Sequence, residues 1–165
     1  MTMHVVCDQT AEMRQHGATD FEIETVRAAL AILERHFARG GAVLTSPGIV
    51  RDFLRLRVVG LEAEVFGVIW LDGQHRVITT EEMFRGSLTQ TSVYPREVVR
   101  RGLQLNAAAA LVFHNHPSGV AEPSRADEFL TRSIQSALCL VDIRLLDHMV
   151  VGRDNVVSFA ERGLM

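Results

Sequence analysis

His114 and His116 stand one residue apart at the end of the apolar run Ala107 to Phe113. In an extended chain, residues i and i+2 point to the same side, so both imidazoles can meet a single ion. Pro117 and Gly119 then turn the chain, and Asp127 arrives one turn into a helix that opens at Ser124 or Arg125. Two histidine nitrogens and a carboxylate oxygen suit zinc. Three protein ligands also leave a fourth position for water, which is the arrangement of a catalytic site. A closed, cysteine-rich structural site is excluded, because Cys7 and Cys139 are the only cysteines. Each piece has a plainer reading. A His-x-His pair alone is a weak signal, Ser124-x-x-Asp127 has the spacing of a helix capping box, and Pro117 and Gly119 are ordinary turn residues. What carries the metal reading is the combination, His-x-His-x7-Ser-x-x-Asp behind an apolar strand.

The elements that must position these residues follow from periodicity. Residues 1–18 are polar and aperiodic, and read as a loose segment. Residues 19–41 read as an N-terminal helix: Thr19 and Glu22 have capping-box spacing, Ile23, Val26, Leu30, Leu33 and Phe37 share a face, and Gly40-Gly41 stops it. Ser46-Pro47 starts another helix, which turns Ile49, Val50, Phe53 and Leu54 inward and ends before Gly60. Glu64 to Leu71 (EVFGVIWL) reads as a central strand. Asp72-Gly73 is a turn, and Arg76 to Thr80 begins the return strand of a hairpin. A helix runs from Tyr94-Pro95 to about Asn106, with Val98, Val99, Leu103 and Leu105 as its apolar residues. After the strand ending at the histidines comes a helix to about Leu138, then strands over Val141 to Val151 and Val156 to Phe159. Helices first, then strands interleaved with two helices, predict one α/β (mixed α+β) domain built on a mixed sheet flanked by helices. Strand order does not follow from this pattern.

Composition narrows the classes. A chain of 165 residues with 47% hydrophobic and 22% charged residues fits one globular domain with a real core. No apolar run is long enough to cross a bilayer, and MTMHVVCDQTAE has no basic segment followed by a long apolar core, so a cytoplasmic location without membrane contact is expected. Cys7 and Cys139 read as reduced thiols, with Cys139 in ALCLVDI as a core filler. The formal charge of −3 and a pI near 6.1 count modestly against general nucleic-acid binding. All 17 basic residues are arginine, which we read as codon bias of a GC-rich genome rather than avoidance of lysine.

With these residues in place the sequence resembles a known family. His114-x-His116-x7-Ser124-x-x-Asp127 matches the JAMM motif of the JAB/MPN metalloproteases without a gap. HNHPSGVAEPSRAD, FRGSL at 84–88, VYPREVV at 93–99 and LLDHMVVG at 145–152 are similar to its bacterial RadC (UPF0758-type) branch. The resemblance covers residues 42–165 as a RadC-like JAB/MPN domain. It implies a JAB/MPN-type, cytidine-deaminase-like mixed sheet in a single domain, one Zn2+ per chain on His114, His116 and Asp127, and hydrolysis of a peptide or isopeptide bond. It also implies a catalytic glutamate at the start of a strand reading E-V-x-G, which Glu64-Val65-Phe66-Gly67 reproduces; Glu62 is the reserve candidate. By the same resemblance Glu64 is base and then acid, and Ser124 steadies the oxyanion. Two other classes stay open. RadC proteins carry a DNA-repair label, but the roughly forty residues before the domain show no duplicated helix-hairpin-helix, so DNA is a weakly supported partner. A non-catalytic interaction module is the third, although this chain keeps the ligands that degenerate members lose. A zinc deaminase is disfavoured, since HxE and PCxxC are both absent. Homo-oligomerisation is left open.

Neighbouring residues read as follows. His148, beside Asp147, is taken as a satisfied core histidine ahead of a support for the site. Ser118 serves the turn, His75 is surface, and Asn115 alternates away from the histidines to bond backbone. Arg96, Arg100 and Arg101, interrupted by Glu97, make a solvated helix face.

Overall fold

The computed structural model describes residues 13–38, 47–58, 61–86 and 92–165. In chain order the elements are α1 (Asp20–Ala38), α2 (Pro47–Val58), β1 (Val65–Leu71), β2 (Val77–Arg85), α3 (Pro95–Gln104), β3 (Ala109–Asn115), α4 (Arg125–Cys139), β4 (Arg144–Val151) and β5 (Val156–Ser158). The five strands form one mixed sheet in the order β2-β1-β3-β4-β5. β1 is antiparallel to both β2 and β3, β3 runs parallel to β4 through the α4 crossover, and β4 is antiparallel to β5.

Alternation along the strands divides the core into two layers. Val65, Ile69 and Leu71 of β1, with Leu111 and Phe113 of β3, face α1 and α2, where they meet Leu30, Val50, Phe53 and Leu54. Phe66, Val68 and Trp70, with Ala110 and Val112, face α3 and α4, where they meet Val98, Ile134 and Leu138. The molecule is therefore a single three-layer α/β domain, and both central strands are buried along their whole length.

Local chemistry explains the helix ends. Thr19 Oγ1 accepts from the Glu22 amide (3.3 Å) while the Glu22 carboxylate accepts from the Thr19 amide (2.8 Å), which completes the capping box at α1. Pro47 opens α2 at its first position, and Pro95 does the same for α3.

Several expectations change. Ile49 is 48% exposed and Leu103 56% exposed, so neither is a core residue of its helix. Cys139 closes α4 on the solvent side and is exposed rather than a core filler. Phe37's side chain, Gly40-Gly41, Ser46 and Cys7 lie outside the described residues, as do residues 1–12 of the segment read as loose, whose residues 13–15 are helical. Among the described residues, no helix is long and apolar enough to cross a membrane.

Candidate metal centre

The two strand faces decide what each residue of His114-Asn115-His116 can do. His114 points to the α4 side and is 2% exposed. His116 follows two residues later on the same side, where its Nε2 lies 2.9 Å from His114 Nε2. Asp127, in the first turn of α4, brings its carboxylate to 3.4 Å from His114 Nε2 and 3.7 Å from His116 Nε2. One ligand atom from each of the three lies within 4.8 Å of the others, the geometry of a candidate metal site. Asp127 is also the N3 residue of a reciprocal capping box. Ser124 N and Oγ each donate to its Oδ2 at 2.7 Å, and Ser124 Oγ accepts from the Asp127 amide at 3.2 Å. Capping and site placement thus coincide, because the bonds that start α4 also fix the carboxylate.

Asn115 turns the other way and is 4% exposed. Its Oδ1 accepts from the Val65 amide at 2.7 Å and its Nδ2 donates to the Ala63 carbonyl at 3.1 Å. It therefore grips the peptide on both sides of Glu64. The β1–β3 register ends with Phe66 opposite His114, and Glu64 and His116 each lie two residues beyond that pair. The Glu64 carboxylate is close enough to add to the field that raises the His116 pKa. Glu62 instead pairs with His16 at 3.2 Å and lines a cavity of about 810 Å³ with Arg55, Leu56, Arg153 and the outer side of His116.

The donor set fits a divalent cation on its own polarity. His116 Nδ1 lies 2.7 Å from the Val120 carbonyl, which can only accept, so Nδ1 carries a proton and Nε2 is the nitrogen turned toward the site. Burial pushes the His114 pKa down to about 4, so that ring is neutral near pH 7. The adjoining Asp127 carboxylate raises His116 against the opposing effect of burial. Burial pushes Asp127 up, but the two histidines and the Ser124 donors outweigh it and hold the carboxyl well below its usual range. An ionised carboxylate beside inward-facing imidazole nitrogens is what zinc or a similar ion requires.

His148 is a satisfied core histidine, fully buried with both ring nitrogens bonded, and it also backs the site, because its Nε2 lies 2.8 Å from His114 Nδ1. Phe159 stacks on it at 4.7 Å and Phe66 meets it edge-on at 5.8 Å. Burial also drives its pKa well down. Asp147 faces elsewhere, accepting from Ser158 Oγ and from the amides of His148 and Ala160. Parity within β4 was the signal that could have exposed this: His148 pairs with Val112 of β3, on the face and two residues from His114, but reading that needs the strand order. Ser118 Oγ accepts from the Val120 amide (3.4 Å) within the turn, His75 accepts from Arg144, and Arg96 and Arg100 pair with Glu97 while Arg101 pairs with Glu81.

A three-layer α/β domain presenting two histidines and an aspartate at the end of a central strand defines a class of candidate metal-binding proteins. Residues 44–164 match the family model described as RadC-like JAB domain, and the chain belongs to that family. It is 67% identical over 123 residues to a UPF0758 protein of Leptothrix cholodnii, covering 74% of this chain and 55% of that protein. It is 59% identical over 141 residues to UPF0758 protein Mpe_A2695 of Methylibium petroleiphilum (84% and 64%), and 52% identical over 161 residues to UPF0758 protein Nmul_A2138 of Nitrosospira multiformis (96% and 72%). The chain thus spans little more than half to under three quarters of the length of these relatives.

Proposed function

We propose that this chain is a zinc-dependent hydrolase of peptide or isopeptide bonds, with His114, His116 and Asp127 as ligands and Glu64 as the proton-transfer group. The observation that carries the reading is the convergence of two imidazole Nε2 atoms and one ionised carboxylate within 4.8 Å at a strand end. Membership of the RadC-like JAB domain family supports it. Zinc held there by His114, His116 and Asp127 would supply Lewis acidity, lowering the pKa of water in the site toward neutrality and polarising a carbonyl.

The protein's own groups do the rest. Asn115 holds the peptide around Glu64, whose carboxylate acts on His116 through its charge. Glu64 takes a proton from the attacking water as the new C–O bond forms. It returns that proton to the leaving nitrogen as the C–N bond breaks. Ser124, whose hydroxyl rests on Asp127, is placed to rotate and donate to the oxygen on which charge develops. The cavity beside His116 offers room for one side of an extended substrate.

The test is metal analysis of the purified chain, followed by a screen of peptide and isopeptide substrates. One equivalent of zinc is expected in the wild type and less than a tenth of that in His114→Ala and Asp127→Ala. A wild-type protein that takes up no divalent cation defeats the reading.

A further inference from the structure

We infer that Thr131 and His148 are positioning residues that lock His114 in its Nδ1–H form, so that its Nε2 lone pair faces the ion. This deepens, and rests on, the metal reading above.

The direction of the chain of bonds is dictated by its far end. Thr131 Oγ1 lies 2.6 Å from the backbone carbonyl of Asp127, one turn back along α4. A carbonyl oxygen only accepts, and a hydroxyl has one proton, so the Thr131 proton is committed there. Thr131 Oγ1 must then accept in its other contact, the 2.6 Å bond to His148 Nδ1. His148 is thereby protonated at Nδ1, and as a neutral ring it carries a lone pair at Nε2. That lone pair accepts across 2.8 Å from His114 Nδ1–H. His114 is left with its own lone pair on Nε2, the atom that faces His116 and Asp127.

Every member is shielded from water. Thr131 and His148 are 0% exposed and His114 is 2% exposed, so solvent cannot supply a competing partner that would reverse the order. Without the relay His114 could equally well place its proton on Nε2 and close the site to a cation. The relay begins on the main chain of Asp127 and ends on the ring of His114. Two ligands from α4 and β3 are thus tied through a third element, β4, which supplies no ligand. A displacement of the first turns of α4 is felt at His114 without passing through the ion.

The variant that isolates the relay is Thr131→Val, which keeps the volume and loses the hydroxyl, with Thr131→Ser as the conservative control. His148 is avoided because its replacement would open a void at the centre of the fold. Zinc dissociation constants are measured by chelator competition on the full chain, with circular dichroism to compare the metal-free folds. Removal of an outer partner of a ligating histidine is expected to weaken zinc binding about 10–100-fold. Thr131 acts on His114 one bond further out, through His148, so Thr131→Val should show the low end of that loss, about tenfold, and Thr131→Ser should restore the wild-type value.

A second readout needs neither metal nor mutation. In the zinc-free wild type, long-range 15N–1H spectra should show both His114 and His148 with pyrrole-type Nδ1 and pyridine-type Nε2. A zinc constant for Thr131→Val within twofold of wild type overturns the relay while leaving the metal reading intact. So does a His114 ring found protonated at Nε2 alone. A wild-type chain that binds no zinc overturns both.

Discussion

Glu64 and Glu62 differ by two positions, yet Glu64 adds to the field at His116 while Glu62 pairs with His16. Asn115 makes the difference, since its amide holds the Ala63 carbonyl and the Val65 amide while Glu62 turns toward His16. Glu64→Gln should therefore retain one equivalent of zinc and lose about 100- to 10,000-fold in turnover, the usual range for a general acid–base group. Glu62→Gln should change turnover less than twofold. Both are read on whichever substrate the screen yields, and equal losses in the two variants would contradict the assignment. Asn115→Leu strands a buried amide and carbonyl, at about 1–3 kcal/mol for each unsatisfied group. It should lower both stability and turnover with zinc content unchanged, because neither of its bonds reaches a ligand. Residue types and spacing were enough to nominate His114, His116 and Asp127, and the family resemblance added Glu64. They left His148 second as a support for the site, because its contact with His114 is made across two strands and depends on their being neighbours.

At the scale of the element, strand parity does most of the work. β1, β3 and α4 were legible because each has an undivided apolar run or stripe and, for α4, a capping signal. The order β2-β1-β3-β4-β5 was not, because every central strand is apolar on both faces and any of them fits any interior position. Helix faces were over-read for a related reason. Ile49 and Leu103 fall within apolar stretches, but the sheet covers a narrower stripe than composition suggests. Cys139 was placed inside because its neighbours are apolar, whereas it falls on the solvent face of α4 beside the fully buried Leu138. One element boundary bears directly on the site. Gly152 follows β4, and a Cβ there would lie 2.5 Å from the Gly119 carbonyl oxygen and 2.8 Å from the Ala121 amide. These are main-chain atoms of the loop whose Val120 carbonyl orients His116, so relief means moving that loop. Gly152→Ala should weaken zinc binding by about tenfold, the low end for loss of a ligand's outer partner, with the sheet still formed by circular dichroism. An unaltered zinc constant would show that the loop gives way without disturbing His116.

For the molecule as a whole, the sheet separates two cores with different duties. Among the described residues, the layer under α1 and α2 holds none of the three candidate ligands, whereas the layer under α3 and α4 holds His114, His148, Thr131 and Asp127. Stability and metal binding should therefore separate according to which face is damaged. Leu54 of α2 and Ile134 of α4 are both 0% exposed and offer a matched comparison. Truncation of a buried aliphatic side chain to alanine costs about 2–5 kcal/mol, through lost transfer energy and the cavity left behind. For a domain of this size that corresponds to a fall of roughly 4–20 °C in Tm. Leu54→Ala should show this fall with a zinc constant within threefold of wild type, since its cavity opens on the far side of the sheet. Ile134→Ala lies one turn beyond Thr131 on the helix that carries Asp127, and a collapse there tilts the ligand-bearing turn. Its Tm should fall by a similar amount, and its zinc affinity should fall as well. Equal zinc constants in the two variants would mean that the sheet does not insulate the faces, and that the site's geometry rests on the fold as an undivided unit.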